Sequence, residues 1–280
     1  MARRSGGRQA RHAQRSAPLA EELKPVRPGE RGGQYQPFAK ADLDAVVANI
    51  FRILEEVGFK DATPHCIAAC QAVGAILGED GRLRMPRSVV DDALGKARRN
   101  MTLFAQDPAF DLDLSGTRVH FSTAGAAVMV ADSVRNEYRE STSQDLYNLA
   151  RIVDNCENIH MFQRMCVLRD IEDPYEMDLN TTYCSVAGTR KHVGASWGHH
   201  THLEKTLEML HVLAGGEAKW RERPFVSQSN CFVVPPMKFA SDALECLRVA
   251  VEGGMPVLLL SAGQAGATTP ACLAGAVSQA

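Results

Sequence analysis

The chain has 280 residues, 45% of them hydrophobic, with 31 basic and 33 acidic side chains and a formal charge of −2. That composition provides for a large buried core. It excludes a wholly basic nucleic-acid binder and a strongly acidic tail protein. No apolar run is long enough to span a bilayer, and no apolar segment follows the N-terminal arginines as a secretion signal requires.

Residues 1–36 are rich in Arg, Gly, Pro and Gln and lack periodicity, which predicts an arm. Arg3, Arg4, Arg8, Arg11 and Arg15 come without an acid among the first sixteen residues. Such a run serves either as a basic arm for an acidic partner or as an ordinary chain terminus. Residues 37–115 read as a mainly helical cap region. Leu43, Val46, Val47, Ile50, Ile53, Leu54 and Val57 recur at helical spacing up to Gly58. Thr63-Pro64 then opens a second helix expected to reach Leu77, and a third follows Pro86. Short strands are expected at 101–105 and around Ser115-Gly116.

From residue 116 to 280 the pattern repeats. Strand-like segments start at Arg118, Ile159, Lys191, Phe225 and Pro256, and each is followed by an amphipathic helical pattern. The starts lie 31–41 residues apart, the length of one strand-helix unit of an eightfold (β/α)₈ TIM-type barrel. Thr142 and Asp145 form a capping-box pattern ahead of Leu146, Leu149, Ala150 and Val153. Asp173-Pro174 reads as a turn ahead of a helix near 179–187. Gly215-Gly216 and Gly253-Gly254 stop two helices, and Thr269-Pro270 is expected to cap the last. Val257–Leu260 is wholly apolar, as a buried parallel strand is. The fold class expected is α/β: an incomplete barrel of about five units, lacking three.

In a parallel barrel, chemistry sits at the C-terminal ends of the strands. That rule nominates Ser122, Thr123 and Gly125; Gln163 and Arg164; Ser196, Trp197, His199 and His200; Ser229 and Asn230; and Ser261, Gly263, Gln264 and Gly266. His200 and His202 form an HxH pair that in some barrels holds zinc or iron, but no carboxylate stands beside it in sequence. The Trp197 ring either faces a quaternary ammonium or caps the core. Gly263–Ala267 is either an anion-holding loop or a tight turn. Eight scattered cysteines without a CxxC pair fit buried, reduced thiols and a cytoplasmic setting, with Cys66 and Cys70 sharing a helix face and Cys231 a less favoured metal ligand.

Several segments resemble one known family. They are the Arg-rich opening with Leu23-Lys24-Pro25-Val26-Arg27-Pro28-Gly29, Arg118-Val119-His120-Phe121-Ser122-Thr123-Ala124-Gly125, and Ala265-Gly266-Ala267-Thr268-Thr269-Pro270 with Leu273-Ala274-Gly275. Together they are similar to the trimethylamine methyltransferase family. The resemblance implies a (β/α)₈ barrel that moves a methyl group from trimethylamine or a quaternary amine such as glycine betaine to the cobalt(I) of a separate corrinoid protein. It implies no cofactor bound directly, since the partner carries the corrinoid. Some members of the family carry pyrrolysine late in the barrel and others lack it, and the chain ends before that region. We expect Trp197, His200, Asn230 and Gln264 to line the substrate mouth, a homo-oligomer, and no nucleic-acid or membrane partner. No catalytic residue is named by the sequence and no resident metal is expected. The rival expectations are a metal-dependent barrel enzyme built on His199, His200 and His202, and an inactive truncated remnant.

Overall fold

The computed structural model describes residue 17, Glu30–Arg31, residues 35–261 and residues 263–279. The arginines of the basic arm, the Leu23–Gly29 motif and Ala280 lie outside the described residues. The architecture is mixed α/β. Its centre is a sheet of β1 (Phe162–Gln163), β2 (Val193–Ala195), β3 (Val226–Val234) and β5 (Val257–Ser261), parallel and neighbouring in chain order. The short β4 (Lys238–Phe239) folds back antiparallel on β3 through Pro235-Pro236. Ahead of β1, the first predicted strand joins it only by parallel bridges, Ser122 to Met161 and Ala127 to Cys166. Among the described residues the sheet does not close into a barrel.

Helices α4 (Ser143–Asp154), α5 (Pro174–Gly188), α6 (His200–Ala214) and α8 (Ser241–Glu252) alternate with these strands, and a short α7 (Glu217–Glu222) follows α6. One core joins the sheet to them: Phe162, Val193, Ala195 and Val226 pack with Leu146, Leu203, Leu210, Trp220 and Val249. Local chemistry explains the starts. Thr142 and Asp145 make the reciprocal capping box of α4. Asp173 accepts from the Glu176 N–H and Pro174 occupies the first turn of α5, so the predicted turn is the helix N-terminus itself. Gly215, in the left-handed region at φ 81°, ends α6.

The cap region holds α1 (Lys40–Arg52), α2 (Pro64–Gln71) and α3 (Arg87–Lys96). The second helix was expected to reach Leu77 but stops at Gln71. Gly74 turns the chain at φ 103°, and Ile76–Leu77 pairs with Leu83–Arg84 as a hairpin. A second cluster joins this region to the sheet end, with Leu83 and Phe59 against Val233, Phe239 and Leu244. Strands Thr102–Leu103 and Leu112–Asp113 pair antiparallel.

Four further expectations are corrected. Arg118–Val119 pairs antiparallel with Glu30–Arg31, not as a regular parallel strand. A hairpin, Met129–Asp132 with Glu137–Glu140, intervenes before α4, its turn closed by the Asp132 carboxylate on the Val134 and Arg135 N–H groups. Thr269 bridges to Ala265 and does not cap α9 (Leu273–Gln279), which starts three residues later than its pattern implied. Strand β5 is parallel as expected but not buried: Leu258, Leu259 and Leu260 are 52%, 54% and 42% exposed. No helix among the described residues is long and apolar enough to cross a membrane.

Candidate functional site

Alternation along the strands separates two faces of the sheet. Phe162, Val193 and Val226 face the helices, which places Gln163, Gly194 and Ser227 on the other side at paired positions. Two residues further along β3, Ser229 lies on the same side. There the Gln163 Nε2 donates to the Ser229 hydroxyl at 3.2 Å. Gly194 stands between them, and a Cβ on it would run into the Gln163 Oε1. A side chain at this position would take the space of that amide, so the Gln163 side chain would have to move.

The backbone of Gln163 is fixed from the other direction. Thr123 Oγ1 donates to the Gln163 carbonyl at 2.6 Å and accepts from its N–H at 2.8 Å. A hydroxyl thus supplies the pairing that an irregular neighbouring strand leaves open. The result is a neutral polar wall, Thr123–Gln163–Ser229, that spans four neighbouring strand positions, with Gly194 of β2 between Gln163 and Ser229.

Arg164 follows β1, and the same alternation puts it on the side of Phe162, opposite this wall. Its side chain is half-buried, and burial pushes its pKa down despite the favourable charge of Asp178 nearby. Among the described residues its guanidinium makes no ion pair and no side-chain hydrogen bond. Asp178 itself is buried on α5. Its Oδ2 accepts from the Gly198 N–H at 2.9 Å and from His202 Nδ1 at 2.7 Å, which ties α5 to the start of α6. Donation from Nδ1 leaves the His202 Nε2 as the free ring nitrogen. The Tyr175 ring meets His202 edge-on at 5.4 Å. The rings of His199 and His200 lie 4.2 Å apart and tilted by 32°, while the His199 Nδ1 caps α6 by accepting from the Thr201 N–H. No group of three or more His, Cys, Asp or Glu side chains among the described residues is arranged to hold a metal ion. Of the HxH pair, His202 is engaged by Asp178 and His200 is the first residue of α6, while the neighbouring His199 caps that helix.

The four residues expected at one mouth do not converge. Trp197 is 7% exposed and belongs to the core, its indole N–H donating to Thr206 Oγ1 on α6 at 3.0 Å. Asn230 is buried on the helix side of β3, where its Nδ2 donates to the Ala243 carbonyl of α8 at 2.9 Å. Gln264 lies in an exposed tight turn, its carbonyl accepting from Ala267, Thr268 and Thr269. That turn is the ordinary alternative given for the glycine loop. His200 is half-buried as the first residue of α6. Burial and hydrogen bonding turn Trp197 and Asn230 away from any opening, so the side chains on offer are Thr123, Gln163 and Ser229. Asp178 and Tyr175 were not singled out by sequence. The available signal was an acid within a Thr/Ser-rich helix whose Thr181, Thr182 and Ser185 are also buried.

The family model described as trimethylamine methyltransferase (MTTB) matches residues 4–280. The chain belongs to this family of methyltransferases. It is 29% identical over 239 residues to the trimethylamine methyltransferase MttB of Desulfitobacterium hafniense, covering 85% of this chain and 48% of that protein. It is 26% identical over 247 residues to the glycine betaine methyltransferase of the same species, covering 88% and 50%. It is 25% identical over 254 residues to the trimethylamine methyltransferase MttB1 of Methanosarcina mazei, covering 87% and 50%. The chain spans about half the length of these relatives.

Proposed function

We propose that this chain forms one half of a (β/α)₈ enzyme that takes a methyl group from trimethylamine or a quaternary amine such as glycine betaine. The acceptor in this reading is the corrinoid of a separate protein. The observation that carries it is the family match over nearly the whole chain. The run of parallel strands with polar side chains at their C-terminal ends supports it, since that is where barrel enzymes place their sites.

Cobalt(I) supplies the nucleophile, so the protein's task is to hold the methyl carbon in line and exclude water. A quaternary nitrogen has no N–H to donate and no lone pair to accept. A rigid neutral wall such as Gln163–Ser229 therefore acts on it through shape and oriented dipoles rather than by hydrogen bonding.

The test is methyl transfer by the complete enzyme, this half joined to the second half of a relative, mixed with reduced corrinoid protein and followed by the visible spectrum of the cobalt. Methylation with trimethylamine or glycine betaine is expected. The 280-residue chain alone is expected to be inactive. A complete enzyme that leaves the corrinoid unmethylated with either amine refutes the reading.

A further inference from the structure

An apolar cavity of about 360 Å³ lies where the cap region meets the C-terminal ends of β3 and β5. Ile53, Leu54 and Phe59 line it from the cap, and Phe232, Leu260 and Ser261 line it from the strand ends. It shares no residue with the Thr123–Gln163–Ser229 wall. Ile53 and Leu54 open a π-helical turn, Ile53–Val57, closed by the Gly58 N–H on the Ile53 carbonyl at 2.9 Å. Wide turns of this kind recur at functional sites. None of the described side chains that line the cavity carries a charge. Its two hydroxyls differ. Ser278 donates to the Ala274 carbonyl at 2.8 Å, while the Ser261 Oγ is buried and has no hydrogen-bond partner among the described residues.

We propose that this cavity binds a neutral, mainly hydrocarbon molecule with one polar end, an aliphatic alcohol, whose oxygen pairs with the Ser261 hydroxyl. Three observations set that class. The volume and the apolar lining are those of small-molecule pockets, in which an apolar body is oriented by a few polar groups. Water is a poor occupant, because each molecule needs two to four polar partners and the wall offers one free hydroxyl. A charged end would be stripped of water with no counter-charge to meet it, which excludes alkylammonium and carboxylate ligands. The Ser261 oxygen, conversely, gains from a ligand hydroxyl the partner that the fold withholds. Because the walls come from both the cap and the strand ends, a bound molecule ties the two together.

The experiment is calorimetric titration of the 280-residue chain with n-octanol, octanoate and octylammonium, which share one hydrocarbon chain and differ in the charge at its end. The alcohol is expected to bind saturably at one site, at least about tenfold more tightly than either charged probe, and to raise the melting temperature. Leu260 is 42% exposed, so Leu260→Trp fills the cavity from its rim without emptying a core position, and it should abolish binding. Ser261→Ala removes the oxygen and little volume, and should weaken binding of the alcohol about tenfold, the scale of one hydrogen bond. Circular dichroism checks that each variant is folded, and Ser261→Ala decides the matter if Leu260→Trp is not. Charged probes that bind as tightly as the alcohol, or unchanged alcohol binding in a folded variant, overturn the assignment. A wild-type chain that binds no n-octanol and associates through this surface gives the cavity to a second copy instead.

Discussion

The amide of Gln163 reaches the hydroxyl of Ser229 across an intervening strand, 3.2 Å from nitrogen to oxygen, over the bare backbone of Gly194. The two residues are 66 positions apart in sequence and neither is useful to this wall without the glycine between them. Gly194→Ala should therefore displace the amide and destabilise the protein by about 1–3 kcal/mol, the usual cost of overpacking. Gln163→Ala removes the obstacle, so the double variant should recover much of that loss. Urea denaturation of the two single variants and the double measures the coupling. Additive losses would mean that Gly194 does not accommodate Gln163.

Lys191 is 2% exposed, and its ammonium donates to the carbonyls of Val153, Cys156 and Ile159, each at 2.6 Å. These oxygens belong to the last turn of α4 and the loop that feeds β1. A cation there satisfies orphan carbonyls and complements the negative end of the helix. Lys191→Met keeps the volume and strands the three acceptors. A loss of about 3–5 kcal/mol is expected, read from the urea midpoint. A loss below about 1 kcal/mol would show that water replaces the ammonium without cost.

Asp145 combines a helix cap with an ion pair. Its carboxylate accepts from the Thr142 N–H and hydroxyl, and from Arg139 Nη1 and Nη2 at 2.7 and 2.8 Å. The Arg139 guanidinium, with Thr142, holds its pKa down at about 2. The folded value lies below the unfolded one of about 3.9, so the folded state binds fewer protons. The stabilisation is fully present above about pH 4 and is lost as pH falls toward 2. Asp145→Asn should lower the melting temperature at pH 7 and flatten its pH dependence across that window. An unchanged slope between pH 4 and 2 would assign the acid sensitivity to other carboxylates.

Much of the architecture is legible in the sequence because it is written locally. The Thr142–Asp145 box, Thr63-Pro64 and Gly215 carry their structural meaning within four residues. The parallel strands are legible because apolar runs alternate with helical periodicity. The hairpin at 129–140 escaped because its strands are largely exposed and carry no apolar alternation strong enough to mark them. The site was only half legible. The strand-end rule reaches Thr123, Gln163 and Ser229, but a shift of one residue reverses which face a side chain takes. Trp197 and Asn230 fall on the helix side for that reason, and their partners Thr206 and Ala243 are set by packing that no motif announces. The bond from Asp178 to His202 likewise joins two helices across 24 residues.

Cys66 and Cys70 stand one turn apart on α2, and the hydrogen bond between the two thiols divides their acidity. It pulls Cys70 down while pushing Cys66 up. A lowered thiol carries more thiolate at neutral pH, the form that reacts. Cys70 should be alkylated ahead of Cys66 by iodoacetamide at pH 7, as read by peptide mass spectrometry. Cys66→Ala removes the donor and should slow labelling of Cys70. Equal labelling of the pair, or faster labelling of Cys70 in the variant, would contradict the hydrogen bond as the cause.

Strand β5 pairs with β3 on one side, and Leu258, Leu259 and Leu260 present large apolar side chains to solvent. No strand pairs with its other side among the described residues. A flat apolar edge of this kind is a template for another strand, and proteins ordinarily blunt it with charge or cover it. The 280-residue chain is accordingly expected to self-associate at high concentration through this edge. Leu259 is 54% exposed, so a lysine there adds a charge to the edge without emptying a core position. Leu259→Lys should change stability by less than about 1 kcal/mol, in line with exposed substitutions, and shift the sedimentation profile toward monomer. A variant that stays folded and associates as strongly as the wild type would place the contact elsewhere on the surface.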